Sequence, residues 1–169
     1  MVNCFKNDPL NPALANWLAL ELGVSTNEEI VQINTVGHTG SDGFHRLAHQ
    51  AAFTGEVGAE RYLIVDDFVG QGGTLANLIG YIHENGGSVI AASVLTGKPY
   101  SATIAPDRDA TQRLRDKYGQ SLENWWQENV GFAFDCLTRS EARYLENTKD
   151  ADTIRDRIAQ ARSKDGAGT

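Results

Sequence analysis

The chain has 169 residues, 41% hydrophobic and 22% charged, with a formal net charge of −7. At this length roughly 68–70% of the unfolded surface can be buried, so a core forms without disulfide or metal staples, and the composition is that of an ordinary globular domain. No window reaches the roughly 18 consecutive apolar residues of a membrane span, and the negative balance excludes long nucleic acid as the main partner, because phosphate backbones are held by lysine and arginine.

The opening "MVNCFKNDPLNP" breaks into prolines and polar residues where a secretory leader would carry an apolar run, so a cytoplasmic location is expected. Cys4 and Cys136 show neither metal nor redox spacing and are read as reduced thiols. Asn11 and Pro12 start a helix over "PALANWLALELG" that Gly23 closes. "EEIVQINTV" reads as a buried strand running into the turn-rich "GHTGSDG", and "FHRLAHQAAF" as a helix. "RYLIVDD" is a strand, "TLANLIGYIHENGG" a helix and "SVIAASVLT" another strand. Strands alternating with helices at this spacing predict a parallel sheet with helical crossovers.

After Lys98 the pattern changes to four helices: "DATQRLRDKYG", "SLENWWQENVG", "TRSEARYLEN" and "ADTIRDRIAQARS". Thr138 and Glu141 have the spacing of a capping box before the third. The last is strongly charged and reads as a solvated or partner-facing helix, which sets an expected boundary between a domain over 1–148 and a C-terminal helix with a frayed tail over 149–169. His45 and His49 stand one helical turn apart without the glutamate of a zinc protease and are read as helix-surface or partly buried histidines. Trp125 and Trp126 are expected to divide between core and surface.

The stretch "RYLIVDDFVGQGGTL" concentrates the chemistry. Ligands of α/β sheets collect at the carboxyl ends of strands, and Asp66 and Asp67 stand at such an end. The glycines that follow let main-chain amides crowd around an anion, and the next helix N-terminus adds about 0.3–2 kcal/mol of dipole attraction. Carboxylates set directly against phosphate would repel it, so the acidic pair addresses hydroxyl groups or a metal. A sugar phosphate satisfies both halves. A P-loop is excluded because Gly73 is followed by Thr74 and Leu75 with no lysine, and a dinucleotide fingerprint because Leu75 occupies its third glycine position. A response-regulator receiver, suggested by the acidic pair and "LTGKP", lacks room for the phosphoacceptor strand.

"YLIVDDFVGQGGTL" resembles the phosphoribosyl-pyrophosphate (PRPP) signature of type I phosphoribosyltransferases over about a dozen residues. The resemblance implies that Asp66 and Asp67 bind the ribose hydroxyls, with Asp67 also assisting the base proton. It implies that Val69, Gly70, Gln71, Gly72, Gly73 and Thr74 hold the 5′-phosphate. Gln71 departs from the family, which carries threonine or serine there, and a hydroxyl contact is lost with it. By position, Val36, Gly37, His38 and Thr39 take the place of the pyrophosphate loop, and Arg46 is an anion-contact candidate on the following helix.

"SVLTGKP" and "NVGFAFD" are similar to segments of hypoxanthine-guanine phosphoribosyltransferases. That likeness gives Lys98 as the reader of a purine and Phe132 or Tyr100 as its stacking ring; a solvated lysine and a core phenylalanine are the alternatives. The implied fold is α/β, a three-layer, mostly parallel sheet with helices on both faces, with a helical C-terminal extension. The hood is shortened, because only "TGEVGAE" connects Phe53 to Arg61.

The implied activity is transfer of phosphoribosyl from PRPP to a nucleobase, releasing pyrophosphate. Its cofactor is Mg2+, carried by the pyrophosphate beside Asp66 and Asp67. A homodimer is expected, the second subunit or the C-terminal helices supplying the lid. Two rival readings remain: a non-catalytic PRPP- or nucleotide-sensing module, and a receiver-like phosphorylation switch.

Overall fold

The computed structural model of the protein describes residues 2–4, 10–34, 42–101, 103–105 and 107–165. The architecture is mixed α/β, and contacts gather the chain into two compact units: residues 1–35, 51–70 and 74–102, and residues 36–50, 71–73 and 103–169. This division differs from the expected boundary after residue 148. Among the described residues, no helix is long and apolar enough to cross a membrane.

The first unit holds a four-stranded sheet. In chain order its elements are β1 (Val2–Cys4), α1 (Leu10–Leu22), β2 (Thr26–Asn27), β3 (Val31–Gln32), β4 (Phe53–Thr54), β5 (Arg61–Val69), α3 (Gly73–Glu84) and β6 (Ser88–Gly97). α3 starts on Gly73, which clusters with the second unit. The strand order is β2-β1-β5-β6, and every pairing in it is parallel. Parallel neighbours need crossovers, supplied by α1 between β1 and β2 and by α3 between β5 and β6.

β5 is the central long strand, with Tyr62, Ile64 and Val65 fully buried. Its alternation sorts the side chains by face: Val65 packs with Ala15 and Ala19 of α1, flanked by Leu63, Leu14 and Leu18.

The structure corrects the expected position of the first core strand. The inner neighbour of β5 is "VNC", too short to carry a period that sequence reading can detect. "EEIVQINTV" is not one strand. The Asn27 carboxamide accepts from the amides of Glu29 and Ile30, both at 3.2 Å, and turns the chain out of the sheet. β3 then pairs antiparallel with β4 in a separate two-stranded ribbon. Gly55, just past that ribbon, has φ +122°, and an added Cβ would sit 2.0 Å from the Glu29 carbonyl oxygen. Gly55→Ala is expected to cost about 1–3 kcal/mol in backbone strain alone, read as a lower urea midpoint at unchanged slope.

The second unit is helical: α2 (Gly43–Ala48), α4 (Arg108–Tyr118), α5 (Gln120–Val130), α6 (Arg139–Glu146) and α7 (Ala151–Asp165). α2 is shorter than "FHRLAHQAAF" suggests and ends before Phe53 pairs in β4. The core gathers Phe44, Leu47, Leu114, Leu122, Trp126 and Phe134 with Ile154 and Ile158 of α7. The charged appearance of α7 therefore describes one face only. Its isoleucines, one helical turn apart, belong to the core. Trp126 is fully buried, while Trp125 is half-buried with the Arg155 guanidinium 5.9 Å from its ring centre.

A partly buried ion pair ties α4 to α5. Arg115 Nε and Nη2 each donate to a Glu123 carboxylate oxygen at 2.7 Å, and Nη2 reaches Asp135 at 2.9 Å. The Arg115 hydrogen bonds outweigh desolvation and hold the Glu123 carboxyl below its ordinary range. A depressed carboxylate contributes stability above its unfolded value of about 4.3 and loses that contribution as pH falls through the folded value. Urea midpoints measured down from pH 7 should therefore fall more steeply in the acid range for the native chain than for Glu123→Gln. The variant starts lower, because it leaves Arg115 with a neutral partner.

Candidate functional site

β5 carries the acidic pair inside its paired length and ends two residues later, at Val69, rather than at the aspartates as the sequence suggests. Its register against β6 runs through Asp66 opposite Val94 and Phe68 opposite Thr96 to Val69 opposite Gly97, so the strand carries past both carboxylates. Asp66 and Asp67 are half-buried, and Asp66 Oδ1 accepts from the Asp67 amide at 3.0 Å. This bond holds the Asp66 carboxylate against the next residue's backbone, and a carboxylate has further lone pairs with which to accept from a ligand hydroxyl.

Beyond the acidic pair the chain is held by its carbonyls. In the first unit the Lys98 amide donates to the Val69 carbonyl at 3.1 Å, and the buried Ser101 hydroxyl donates to the Gly70 carbonyl. In the second unit the buried Thr138 hydroxyl donates to the Gln71 carbonyl at 2.8 Å. Among the described residues, no acceptor takes the N–H of Gly70, Gln71 or Gly72. A buried N–H without an acceptor costs about 1–3 kcal/mol, and Gly72 is buried. A turn fastened through its C=O groups with its N–H groups unclaimed has the polarity an anion requires.

Gly72 has φ +87°, a value that excludes most side chains. The expected capping box is present: Thr138 Oγ1 accepts from the Glu141 amide at 3.2 Å, and Glu141 Oε2 accepts from the Thr138 amide at 2.8 Å. Glu141 is buried, and desolvation pushes its carboxyl up.

The remaining sequence-predicted residues fall as follows. Val69 is buried, and Gly70, Gln71, Gly73 and Thr74 are half-buried, with Thr74 inside the first turn of α3. The Gln71 side-chain oxygen is buried without a partner among the described residues. Val36, Gly37, His38 and Thr39 lie outside the described residues. Lys98 and Tyr100 are exposed, with the ammonium 5.8 Å from the Tyr100 ring centre. Phe132 packs edge-on against Trp126 at 6.0 Å, which favours its core reading over a stacking one.

Arg46 is half-buried on α2, where the rings of His45 and His49 lie 4.3 Å apart. Cys136 is an exposed free thiol. Among the described residues no three His, Cys, Asp or Glu side chains converge as metal ligands. A magnesium ion would therefore have to bring most of its ligands as phosphate oxygens and water.

Sequence reading missed Ser101 and the second role of Thr138. Neither carries a motif for its bond, because the partners lie 31 and 67 residues away.

No known family model matches the chain. It is 39% identical over 159 residues to protein TraN of Escherichia coli, an alignment covering 94% of this chain and 36% of that protein. It is 46% identical over 71 residues to an uncharacterized protein of Haemophilus influenzae, covering 41% of this chain and 16% of that one. The chain thus spans about a third or less of the length of these curated relatives. Among solved structures, orotate phosphoribosyltransferase from Aeropyrum pernix aligns with a TM-score of 0.39 at 21% identity, over 58% of this chain and 49% of that one.

Proposed function

We propose that residues 66–74 bind the ribose 5-phosphate portion of PRPP and that the protein transfers phosphoribosyl from PRPP to a nucleobase. The observation that carries this reading is the junction itself. A half-buried carboxylate pair stands near the end of the central parallel strand, and a carbonyl-fastened glycine turn follows within the next few residues, its N–H groups taken by no backbone carbonyl among the described residues.

Asp66 and Asp67 take the ribose hydroxyls, and the N–H groups from Gly70 onward take the phosphate monoester. Mg2+ would arrive with the ligand and would supply positive charge to the pyrophosphate, with Asp66 and Asp67 as the nearby carboxylates. The reacting carbon develops oxocarbenium character, so the chain's task is to position the sugar and exclude water. The purine-reading role of Lys98 and the pyrophosphate role of 36–39 belong to this proposal, as do a cytoplasmic setting and a homodimer that completes the lid.

This reading includes a three-layer fold with helices on both faces of the sheet. The crossovers leave β1 and β5 in opposite directions along the sheet, and right-handed connections of that kind set their helices on opposite faces, the three-layer plan of type I phosphoribosyltransferases.

One observation favours a second reading. β4 ends at Thr54 and β5 begins at Arg61, a connection too short for the hood that closes over such reactions. In this reading the protein binds PRPP without turnover, as a sensing module. Calorimetric titration with PRPP and Mg2+, run beside a pyrophosphate-release assay over a panel of bases, separates the two. Heat with release supports the transferase and heat without release the sensor. No heat removes both.

A further inference from the structure

We infer that Thr138 is a positioning residue of the phosphate turn: its hydroxyl sets the direction in which the Gly72 N–H points. The inference rests on the proposed phosphate role of that turn. A trans peptide is planar, with its C=O and N–H on opposite sides. The carbonyl of Gln71 is drawn to Thr138 Oγ1 at 2.8 Å, so the N–H of the same peptide, which belongs to Gly72, faces away from the start of α6.

The hydroxyl has one proton. One of its two lone pairs accepts from the Glu141 amide at 3.2 Å, and the proton goes to the Gln71 carbonyl, which can only accept. Thr138 is 1% exposed, so water does not compete for that bond. The fit around the turn is close. An added Cβ at Gly72 would meet Ile104 at 3.4 Å and the Thr138 methyl at 3.7 Å, and one at Gly73 would lie 2.4 Å from Glu141 Oε1. The peptide therefore has little room to rotate once the hydroxyl holds it. The sequence marks Thr138 only as a helix cap; the structure adds the bond that orients the turn.

The test uses PRPP with Mg2+ as probe and calorimetric affinity as readout. Thr138→Val keeps the shape and removes the hydroxyl, and it should weaken binding about tenfold, the loss of one well-aligned N–H bond to an anion. Thr138→Ser should restore affinity. Asp107→Ala removes the side-chain cap of α4, which bonds the Asp109 and Ala110 amides. It loses comparable stability, together with an ion pair to Arg139 at 3.5 Å, while the Thr138–Gln71 hydrogen bond stays in place, and its affinity should match the native chain.

Equal binding by Thr138→Val overturns the inference alone, and so does equal weakening by Asp107→Ala. A native chain that binds no PRPP removes the proposed function and this inference with it. Should Thr138→Val not fold, the amide resonance of Gly72 in the 15N-labelled native chain decides. A downfield move on adding PRPP with Mg2+ supports the orientation, and an unmoved resonance overturns it.

Discussion

Replacing Asp66 and Asp67 together by asparagine should lower affinity for PRPP with Mg2+ by about two to four orders of magnitude, measured as the loss of calorimetric heat. Each carboxylate that accepts a ribose hydroxyl contributes about 1.5–3 kcal/mol as a charge-assisted bond, and each 1.4 kcal/mol is tenfold. Asparagine keeps the volume and one oxygen, so the strand end survives. The hydrogen bond from the Asp67 amide to the Asp66 carboxylate can equally be accepted by a carboxamide oxygen in the same place.

The sign of the change is diagnostic. The double variant removes two negative charges from a chain of net charge −7, which by long-range electrostatics alone would tighten binding of a polyanion. Weaker binding therefore identifies direct contact with sugar hydroxyls or the metal. Unchanged or tighter binding shows that the carboxylates only border the site, and the phosphoribosyl reading fails.

Trp126→Ala should destabilise the helical unit by about 3–5 kcal/mol, a large share of the roughly 5–15 kcal/mol that holds a typical domain folded. Trp126 is fully buried, between Phe132 at 6.0 Å and Phe134 at 5.9 Å. The cavity left by an indole is bounded on two sides by rings that cannot close it. Trp126→Phe should cost far less. The indole N–H is buried without an acceptor among the described residues, so phenylalanine removes an unsatisfied donor along with the extra ring. Urea unfolding followed by circular dichroism separates the two variants; similar midpoints would show that this ring does not organise the core.

The sequence by itself determined the elements with long periods and the chemistry of the strand end. The β5–α3–β6 run is visible because nine apolar-rich residues, a glycine turn and an amphipathic helix each exceed the length at which periodicity becomes unambiguous. The helices from Arg108 onward, with the Thr138–Glu141 box, are legible for the same reason, since capping is a contact between residues three apart. The carboxylate pair and the glycines are legible in the same way, and the proposed ligand, with alcohols at one end and an anion at the other, is read from them.

Only the tertiary structure decided what depends on distant partners. β1 is three residues long and is a strand because β2 and β5 pair with it on either side. Val31 and Gln32 leave the main sheet because the Asn27 side chain turns the backbone between them and β2. α7 reads as a solvated helix until Ile154 and Ile158 find the core of the second unit. The direction of the glycine turn is set by hydroxyls from residues 31 and 67 positions away. Local pattern records which groups a segment offers. Which of those offers is taken up depends on contacts between residues far apart in sequence, whose closure entropy only the assembled core repays.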